Sequence, residues 1–201
     1  MVLMLARLMR ATASTVVTVL ALCACQNEPK LPLDPGLSAD DFGVGIRIGM
    51  DYSAAQEAAN QPSDSSIFWM LTRDEFANRS PYTERPPEQD LVVALHAADD
   101  PDNSADKSST TVSELRFFLA APGVSQVRLL GKNAASLTPS DIAAWLGPPA
   151  NQTNANDGKT HLTYYFAPQQ KDQPGIKLVT SHDLDGHCFA FAVSTEEKLP
   201  Q

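Results

Sequence analysis

The stretch at residues 137–149, LTPSDIAAWLGPP, contains a complete short helix together with the signals for its start and its end. Thr138 can cap the first turn, and Asp141 lies three residues later, where its charge meets the positive end of the helix dipole. Trp145 belongs to the apolar face, so we expect it to pack into the core. Gly147 can adopt the left-handed turn past the helix, and two prolines then prevent continuation.

A weaker copy of the same pattern lies upstream at residues 49–62, GMDYSAAQEAANQP, where Asp51 takes the position of the capping threonine. Both copies are followed by apolar or alternating stretches typical of antiparallel strands, and no regular alternation of strands with helices is present. We therefore predict an α+β fold of two tandem helix-plus-antiparallel-strand units, residues 38–131 and 132–201. Together the units are expected to form one antiparallel sheet packed by helices.

The strands are predicted from apolar runs and from period-two alternation. An Asp-Gly pair at residues 185–186 favours a tight hairpin before the last strand. In that strand Phe189, Phe191 and Val193 share one face, and small residues on the other face leave room for a helix to lie across it. Residues 151–158 are polar, so we predict a loop. The predicted strands, of which the first can instead be an entry segment, are 44–48, 67–71, 91–96, 111–119, 124–130, 161–166, 176–180 and 188–193.

Residues 1–24 are typical of a secretory signal peptide, with two arginines before an apolar run too short to span a bilayer comfortably. The run ends in Leu-Cys-Ala-Cys, which resembles a bacterial lipobox and makes Cys25 the lipidated residue. An ordinary cleaved signal peptide with incidental cysteines is the alternative. Because Gln26 replaces the aspartate that retains such lipoproteins in the inner membrane, the resemblance implies a periplasmic protein anchored to the outer membrane. Residues 25–37 then comprise the lipidated cysteine and a proline-rich tether.

The chain has 201 residues, an apolar fraction of 43% and a net charge of −9. This composition is typical of a globular domain behind a targeting segment. The acidity disfavours nucleic acid as a partner, because the phosphates would repel the chain.

The sequence has no recognisable catalytic constellation. Its four histidines match none of the spacings of the common hydrolase, metalloprotease or phosphate-binding motifs. Cys188 lies in an apolar run and is predicted to be a buried core residue and not a reactive thiol. We therefore predict no catalytic residue, no cofactor and no enzyme activity.

An acidic segment before the fourth predicted strand is the main metal candidate. Asp100, Asp102, Ser104 and Asp106 stand at alternate positions, as in the first half of a calcium-binding EF-hand loop. Alanine occupies the place of the turn glycine, and threonine that of the bidentate glutamate. A solvated acidic loop is the preferred interpretation, as is a polar turn for the smaller cluster at residues 182–187. We therefore predict no metal site.

The nineteen residues at 72–90 contain three prolines and show no clear periodicity. Loops this long inside a compact domain are usually functional or disordered. Exposed aromatic and arginine side chains are enriched in protein interfaces, so the segment predicts a partner-binding surface. The alternative is that Phe76 and Tyr82 fold back onto the core and anchor the segment. The candidate partner-binding residues are Arg73, Phe76, Arg79, Tyr82 and Arg85.

The two helix copies resemble a unit of small envelope lipoproteins of the SmpA/OmlA type, a component of the outer-membrane β-barrel assembly machine. That unit carries Gly-Met-Thr and then Leu-Gly-x-Pro, followed by aromatic strands. The secreted β-lactamase inhibitor proteins resemble a tandem of the unit. The first copy keeps Gly49, Met50 and Pro62, and the second keeps Thr138, Leu146, Gly147 and Pro149.

These features lead to one main functional hypothesis. The chain is expected to be an outer-membrane-anchored periplasmic lipoprotein that acts as a protein-binding module, and the resemblance implies an inhibitor or immunity protein against a secreted toxin or hydrolase. A structural role in envelope or outer-membrane barrel assembly is one alternative, and a calcium-dependent binding module is another. The expected partners are a protein and, through the lipid anchor, the membrane.

Overall fold

The structure is a computed structural model that describes residues 44–60, 66–96, 110–166 and 175–196. The predicted signal peptide, the lipidated Cys25, the tether and the calcium-loop candidate lie outside these ranges. Within them, no helix is both long enough and apolar enough to cross a membrane.

Helices and strands alternate irregularly along the described ranges. The helices are α1 (Tyr52–Ala59), α2 (Arg73–Ala77) and α3 (Pro139–Leu146), and a 3-10 turn at Ala134–Ser136 precedes α3. The strands are β1 (Ser66–Thr72), β2 (Asp90–His96), β3 (Val112–Phe118), β4 (Arg128–Leu129), β5 (Lys132–Asn133), β6 (Asn151–Asn154), β7 (Thr160–Phe166), β8 (Gly175–His182) and β9 (Cys188–Glu196).

Seven of these strands form one mixed sheet in the order β1-β2-β3-β9-β8-β7-β6, and β4 pairs with β5 in a small separate hairpin. β1 runs parallel to β2, from the pair Ser66 and Asp90 to the pair Thr72 and His96. The other neighbours in the large sheet are antiparallel. The predicted fold of two tandem helix-plus-strand units forming an antiparallel sheet is therefore wrong.

The connection between β1 and β2 is the physical reason for this correction. Residues 72–90, predicted as an irregular loop, contain α2 and return the chain to the start of the sheet, so that β2 runs in the direction of β1. A parallel pair needs a long crossover of this kind, because a tight turn can only reverse a strand. β6 to β9 are joined antiparallel throughout, so the two halves of the sheet are not copies of one unit.

One face of the sheet, here called the helix face, is covered by α1 and α3. Ala55 of α1 and Ile142 of α3 are fully buried in one core cluster with Val92 of β2. In the same cluster, Phe117 of β3 and Phe191 of β9 stack with their ring centroids 4.2 Å apart. Since side chains alternate along a strand, this core also contains Leu115 of β3, Val193 of β9, and Ile176 and Leu178 of β8.

The opposite face, here called the crossover face, is covered only in part. Leu91, Val93 and Leu95 of β2 are buried there in a second cluster that Phe76 of α2 joins. All seven residues of β2 are consequently buried, as is typical of a continuous apolar strand covered on both sides. β7 and β8 instead contain half-buried residues on the crossover face, because no helix of the described residues covers them there.

α3 confirms the predicted capped helix. Thr138 Oγ1 accepts the backbone N–H of Asp141 at 3.2 Å, and the Asp141 carboxylate accepts the backbone N–H of Thr138 at 3.0 Å. Gly147 has the expected positive φ, 79°. The predicted burial of Trp145 is wrong, since its side chain is 43% exposed. Ile142 is the residue that faces the sheet, and Trp145 is rotated about 60° from it around the helix axis.

Other local predictions hold in part. The sequence allows α1 to start after Asp51 or at a capping box that begins with Ser53; the helix starts after Asp51, although the Asp51 side chain makes no capping hydrogen bond. Residues 44–48 form an entry segment with two buried apolar residues and not a strand. The polar stretch predicted as a loop contains β6, because its backbone pairs with β7 while its side chains stay exposed. Of residues 124–130, only Arg128–Leu129 are in a strand.

A β-bulge in β9 changes the face on which Phe189 lies. Successive residues of β8 pair with Ala190 and then with Cys188, so Phe189 is the extra residue of its strand. Phe189 packs in the crossover-face cluster, whereas Phe191 belongs to the helix-face core. The prediction that these two rings share a face is wrong, because it assumed uninterrupted alternation.

Candidate functional site

The uncovered part of the crossover face forms a groove of about 700 Å³. Its floor includes two small residues of the central strand β9, Ala192 and Ser194. Side chains of β3 and α2 border it on one side, and side chains of β8 border it on the other. We call this groove the trough, and its lining residues are Arg73, Glu114, Arg116, Lys177, Val179, Ala192, Ser194 and Thr195.

Strand register places long side chains on both sides of short ones. Arg116 of β3 stands opposite Ala192 of β9. Two residues along, Glu114 of β3 and Lys177 of β8 flank Ser194. Because neighbouring strands lie about 4.8 Å apart, the long side chains on either side can reach over the small residues between them. The sheet itself therefore builds a depression lined by charged groups.

Glu114 holds the arginine side of the trough in place. Its side chain is 9% exposed, and it accepts a bond from Arg116 Nε at 2.5 Å and lies 3.4 Å from Arg73 Nη2. The Arg116 guanidinium also lies 4.8 Å over the ring of Phe76. These two contacts position Arg116 before any ligand arrives, which lowers the entropy lost on binding.

The charge of the trough is opposite to the charge of the chain. Arg73, Arg116 and Lys177 contribute three positive charges and Glu114 one negative charge, whereas the chain carries −9. Among the described residues, no carboxylate forms an ion pair with Lys177. Its ammonium lies 5.8 Å from the ring of Tyr165. Such a groove favours an anionic group over its small floor.

A smaller pocket of about 420 Å³ lies further along β7 and β8 on the crossover face. His161 Nδ1 and Ser181 Oγ are 2.8 Å apart there. Tyr82 packs edge-on against Phe118 with ring centroids 5.3 Å apart, and burial raises the pKa of the Tyr82 hydroxyl. Lys159 forms an ion pair with Asp157 at the rim. The pocket is lined by Tyr82, Ala155, Asp157, Lys159, His161, Ser181 and Phe189.

The structure brings a histidine and a serine together where the sequence predicted no such pair. His161 and Ser181 are direct partners in the antiparallel register of β7 and β8. A polar contact between opposed residues is what strand pairing alone produces. A nucleophilic serine also needs donors aimed at the developing oxyanion, and so the pair by itself does not indicate a hydrolase.

The crossover segment, defined as residues 73–89, contains all five predicted partner-binding residues. Three of them border the open surface: Arg73 lines the trough, Phe76 supports the arginine of β3, and Tyr82 lines the smaller pocket. Phe76 and Tyr82 also contact Phe118, so both anchor the segment to the sheet, as the predicted alternative proposed. Their role in partner binding stays a prediction.

Arg79 and Arg85 make their contacts with other residues of this chain. Arg79 lies 4.1 Å over the ring of Trp69 and donates to Glu84 at 2.6 Å. A backbone N–H bond and this arginine together lower the pKa of Glu84. Arg85 donates to the carbonyl of Leu119 at 2.9 Å and to a carbonyl of its own segment at 2.6 Å. Arg85 therefore fastens the crossover segment to the end of β3.

Sequence reasoning missed Glu114, Arg116 and Lys177. Each is a charged residue on the polar side of an alternating stretch, and that signal was visible. Which strands become neighbours was not visible, and only the pairing of β3 with β9 and of β9 with β8 brings the three side chains to one groove. The charged residues could therefore be identified from the sequence, but their proximity in the folded chain could not.

The short helix α2 was also missed, although the sequence contains its signal. Thr72 and Glu75 have the spacing of a capping box. Thr72 Oγ1 accepts the backbone N–H of Glu75 at 3.2 Å, and Glu75 Oε2 accepts the backbone N–H of Thr72 at 2.7 Å. These bonds lower the pKa of Glu75.

The β8–β9 hairpin brings together three residues of the cluster at residues 182–187, for which the sequence favours a polar turn over a metal site. Ligand atoms of Asp183, Asp185 and His187 lie within 4.8 Å of one another. Asp183 Oδ1 accepts the backbone N–H groups of Asp185 at 3.0 Å and of His187 at 2.8 Å, which is the pattern of a polar turn. His182 is buried instead, 3.0 Å from Thr180 Oγ1, and burial lowers the pKa of its imidazole.

Cys188 is confirmed as a buried residue of the core. Its side chain belongs to the helix-face cluster, and its Sγ donates to the carbonyl of Ala190 at 3.3 Å. Burial raises the pKa of the thiol to about 12. A thiol of this kind carries almost no thiolate at neutral pH, and thiolate is the form that reacts.

No family model and no curated protein matches this chain. One solved structure with some likeness is the crystal structure of a DUF4309 family protein, YjgB, from Bacillus subtilis, with a TM-score of 0.30 and 16% sequence identity. The likeness covers 43% of this chain and 50% of that protein. A likeness this distant carries no argument about fold or function.

Proposed function

We propose that this chain is a protein-binding module that holds a partner protein in the trough, beside the crossover segment. The observation that carries the proposal is the trough itself, an uncovered sheet face with a positioned arginine at its wall. Arginine and tyrosine are enriched at protein interfaces, and Arg73, Arg116 and Tyr82 provide them around this surface.

The cellular setting is part of the same proposal and rests on the N-terminal sequence. A lipid on Cys25 would anchor the chain to the outer membrane, and the proline-rich residues 25–37 would hold the folded part away from the bilayer. The binding surface would then face the periplasm. In its more specific form, the proposal is an inhibitor or immunity protein that neutralises an incoming toxin or hydrolase.

Site-specific crosslinking in the native host tests the binding proposal. The full-length chain carries a photo-crosslinking amino acid at Val179 in the trough, at Tyr82 in the smaller pocket, or at Trp145 as an exposed control on the helix face. We expect one protein to be crosslinked from the first two positions and not from the control. Adducts that do not depend on position, or their absence from all three positions, would overturn the proposal.

The inhibitory form has a separate test. The crosslinked partner is purified, and its hydrolytic or toxic activity is measured with increasing amounts of the chain. We expect activity to fall to a plateau at a fixed molar ratio, because a bound inhibitor blocks access to its target. A partner whose activity is unchanged at saturation would remove the inhibitory role and leave the binding role intact.

A further inference from the structure

We propose that the partner enters the trough with an acidic, extended segment of its chain and places a carboxylate between Arg116 and Lys177. This inference rests on the proposed function, and it names the chemistry of the partner's contact. The charge of the groove, its shape and the contacts of its cationic groups all favour such a segment.

The charge of the trough is complementary to that of an acidic segment. The described lining residues have an excess of positive charge in a chain whose overall charge is −9. An acidic partner would be repelled by most of the surface and attracted by this groove, so the local charge decides where it binds. A flat anionic bilayer meets the repulsion of the whole chain and cannot enter a concave groove, which favours a peptide carboxylate over a lipid surface.

The shape of the trough suits an extended chain. The floor follows β9, where the small residues Ala192 and Ser194 lie on the crossover face. From the first to the second the strand rises about 7 Å, the length of about two extended residues. Arg116 and Glu114 stand on one flank and Val179 and Lys177 on the other, so the groove is one chain wide. An extended segment fits such a groove, whereas a bulky folded surface does not reach its floor.

The two cations of the trough differ in how firmly they are held. Arg116 is already oriented by Glu114 and by the ring of Phe76, so it loses little freedom when a carboxylate arrives. Among the described residues, Lys177 has no carboxylate in ion-pair contact. The pair therefore offers one fixed and one adaptable donor over a floor of small residues.

The test uses the full chain in detergent and two synthetic decapeptides: one of alternating glutamate and glycine, and a control with glutamine for glutamate. Binding is followed by amide chemical shifts and by titration at low and high salt. We expect the glutamate peptide to shift the amides of Ala192 and Ser194, and the glutamine peptide to leave them unchanged. Binding should weaken as salt increases.

Matched variants locate the interaction. Lys177→Gln and Arg73→Gln each remove one trough cation, and Lys132→Gln removes an exposed cation that pairs with Asp141 elsewhere. We expect each trough variant to weaken the glutamate peptide about three- to five-fold, as for a partly exposed ion pair, and the control to leave affinity unchanged. Equal effects from all three variants would mean that only net charge matters and would overturn the inference.

The remaining outcomes separate this inference from the proposed function. If the glutamate peptide does not bind, or if phosphatidylglycerol vesicles shift the trough amides and the peptide does not, the acidic-segment inference is wrong. Crosslinking from Val179 to a host protein would in that case still support protein binding with a different contact chemistry. Failure of the crosslinking experiment removes the proposed function, whatever the peptide does.

Discussion

β2 and β8 are strands of one sheet with opposite surroundings. Every residue of β2 is buried, because the helix-face core cluster covers one of its sides and the crossover segment covers the other. β8 alternates between buried and half-buried residues, since the described residues cover only its helix face. The segment that makes β1 parallel to β2 thus also covers one half of the crossover face, and the open surface begins where that segment ends.

The two kinds of strand differ in whether they can carry a binding site. A strand buried on both sides is fixed by packing, and the core restricts most of its residues to apolar ones. A strand with one open side can carry charged and polar groups at every second position without disturbing the core. The trough lies in the second kind of region, so changes there should alter binding more than stability, and changes in the first kind should do the reverse.

The largest effect is expected when the same substitution is made at two valines, one on each strand. Val93 of β2 is fully buried on the crossover face, whereas Val179 of β8 lines the trough. We expect Val93→Asn to lower the free energy of unfolding by about 4 kcal/mol, because it buries an unpaired amide and removes apolar contact. We expect Val179→Asn to lower it by only about 1 kcal/mol. Urea unfolding measures both, and equal losses would contradict the open face.

A smaller effect is expected where the covering segment is fastened. Arg85→Ala leaves the carbonyl of Leu119 without its donor and should lower stability by about 2 kcal/mol. Hydrogen exchange should become faster in the crossover segment and stay slow in β8. Arg85→Lys should recover part of the loss, and Arg128→Ala, at an exposed arginine, is the control. Unchanged exchange in the segment would show that Arg85 does not hold it.

The pH dependence of stability should carry a signature of His182, at the end of β8. Burial lowers the pKa of His182 in the folded state, so below about pH 6.5 the unfolded chain takes up a proton more readily. Stability is therefore full above that pH and is lost as pH falls through the folded pKa, by at most about 1.4 kcal/mol per pH unit. His182→Gln should flatten the profile on the acidic side of neutrality and His187→Gln should not. An unaltered profile in His182→Gln would refute this assignment.

The smallest effects are expected at the two capping boxes, one at the start of α3 and one at the start of α2. Thr138→Ala removes the cap of α3 and should cost about 1 kcal/mol, whereas Thr72→Ala removes the cap of the exposed α2 and should cost about 0.5 kcal/mol. Thermal unfolding measures the difference, with the corresponding serine variants as controls. A larger loss at Thr72 would mean that α2 contributes more to covering β2 than its exposure indicates.

Local features of this fold could be predicted from the sequence because neighbouring residues determine them. The caps of α3, the Asp-Gly hairpin, the apolar run of β2 and the buried Cys188 all follow from residues a few positions apart. The parallel pairing of β1 with β2 could not be predicted, because it depends on the path of a segment without periodicity.

The trough shows the same division. The sequence predicts Arg73 and Tyr82 as interface residues, because arginines and aromatics in a long loop are typical of interfaces, and both border the open face. It does not single out Arg116 and Lys177, because their strands are separated in the chain and are brought together only by β9. Strand register determines which side chains come together in such a site. A one-residue shift in register, as at the bulge that contains Phe189, moves a side chain to the opposite face of the sheet.

The position of β9 has a consequence for the order in which the molecule can be assembled. β9 is the middle strand of the sheet and the last element of the described chain. β1, β2 and β3 can join β6, β7 and β8 only through it. A chain that emerges from its N-terminus, whether from a ribosome or a translocation channel, therefore keeps two unfinished sheet edges exposed until residues 188–196 arrive. The sheet can therefore be completed only after residues 188–196 have emerged.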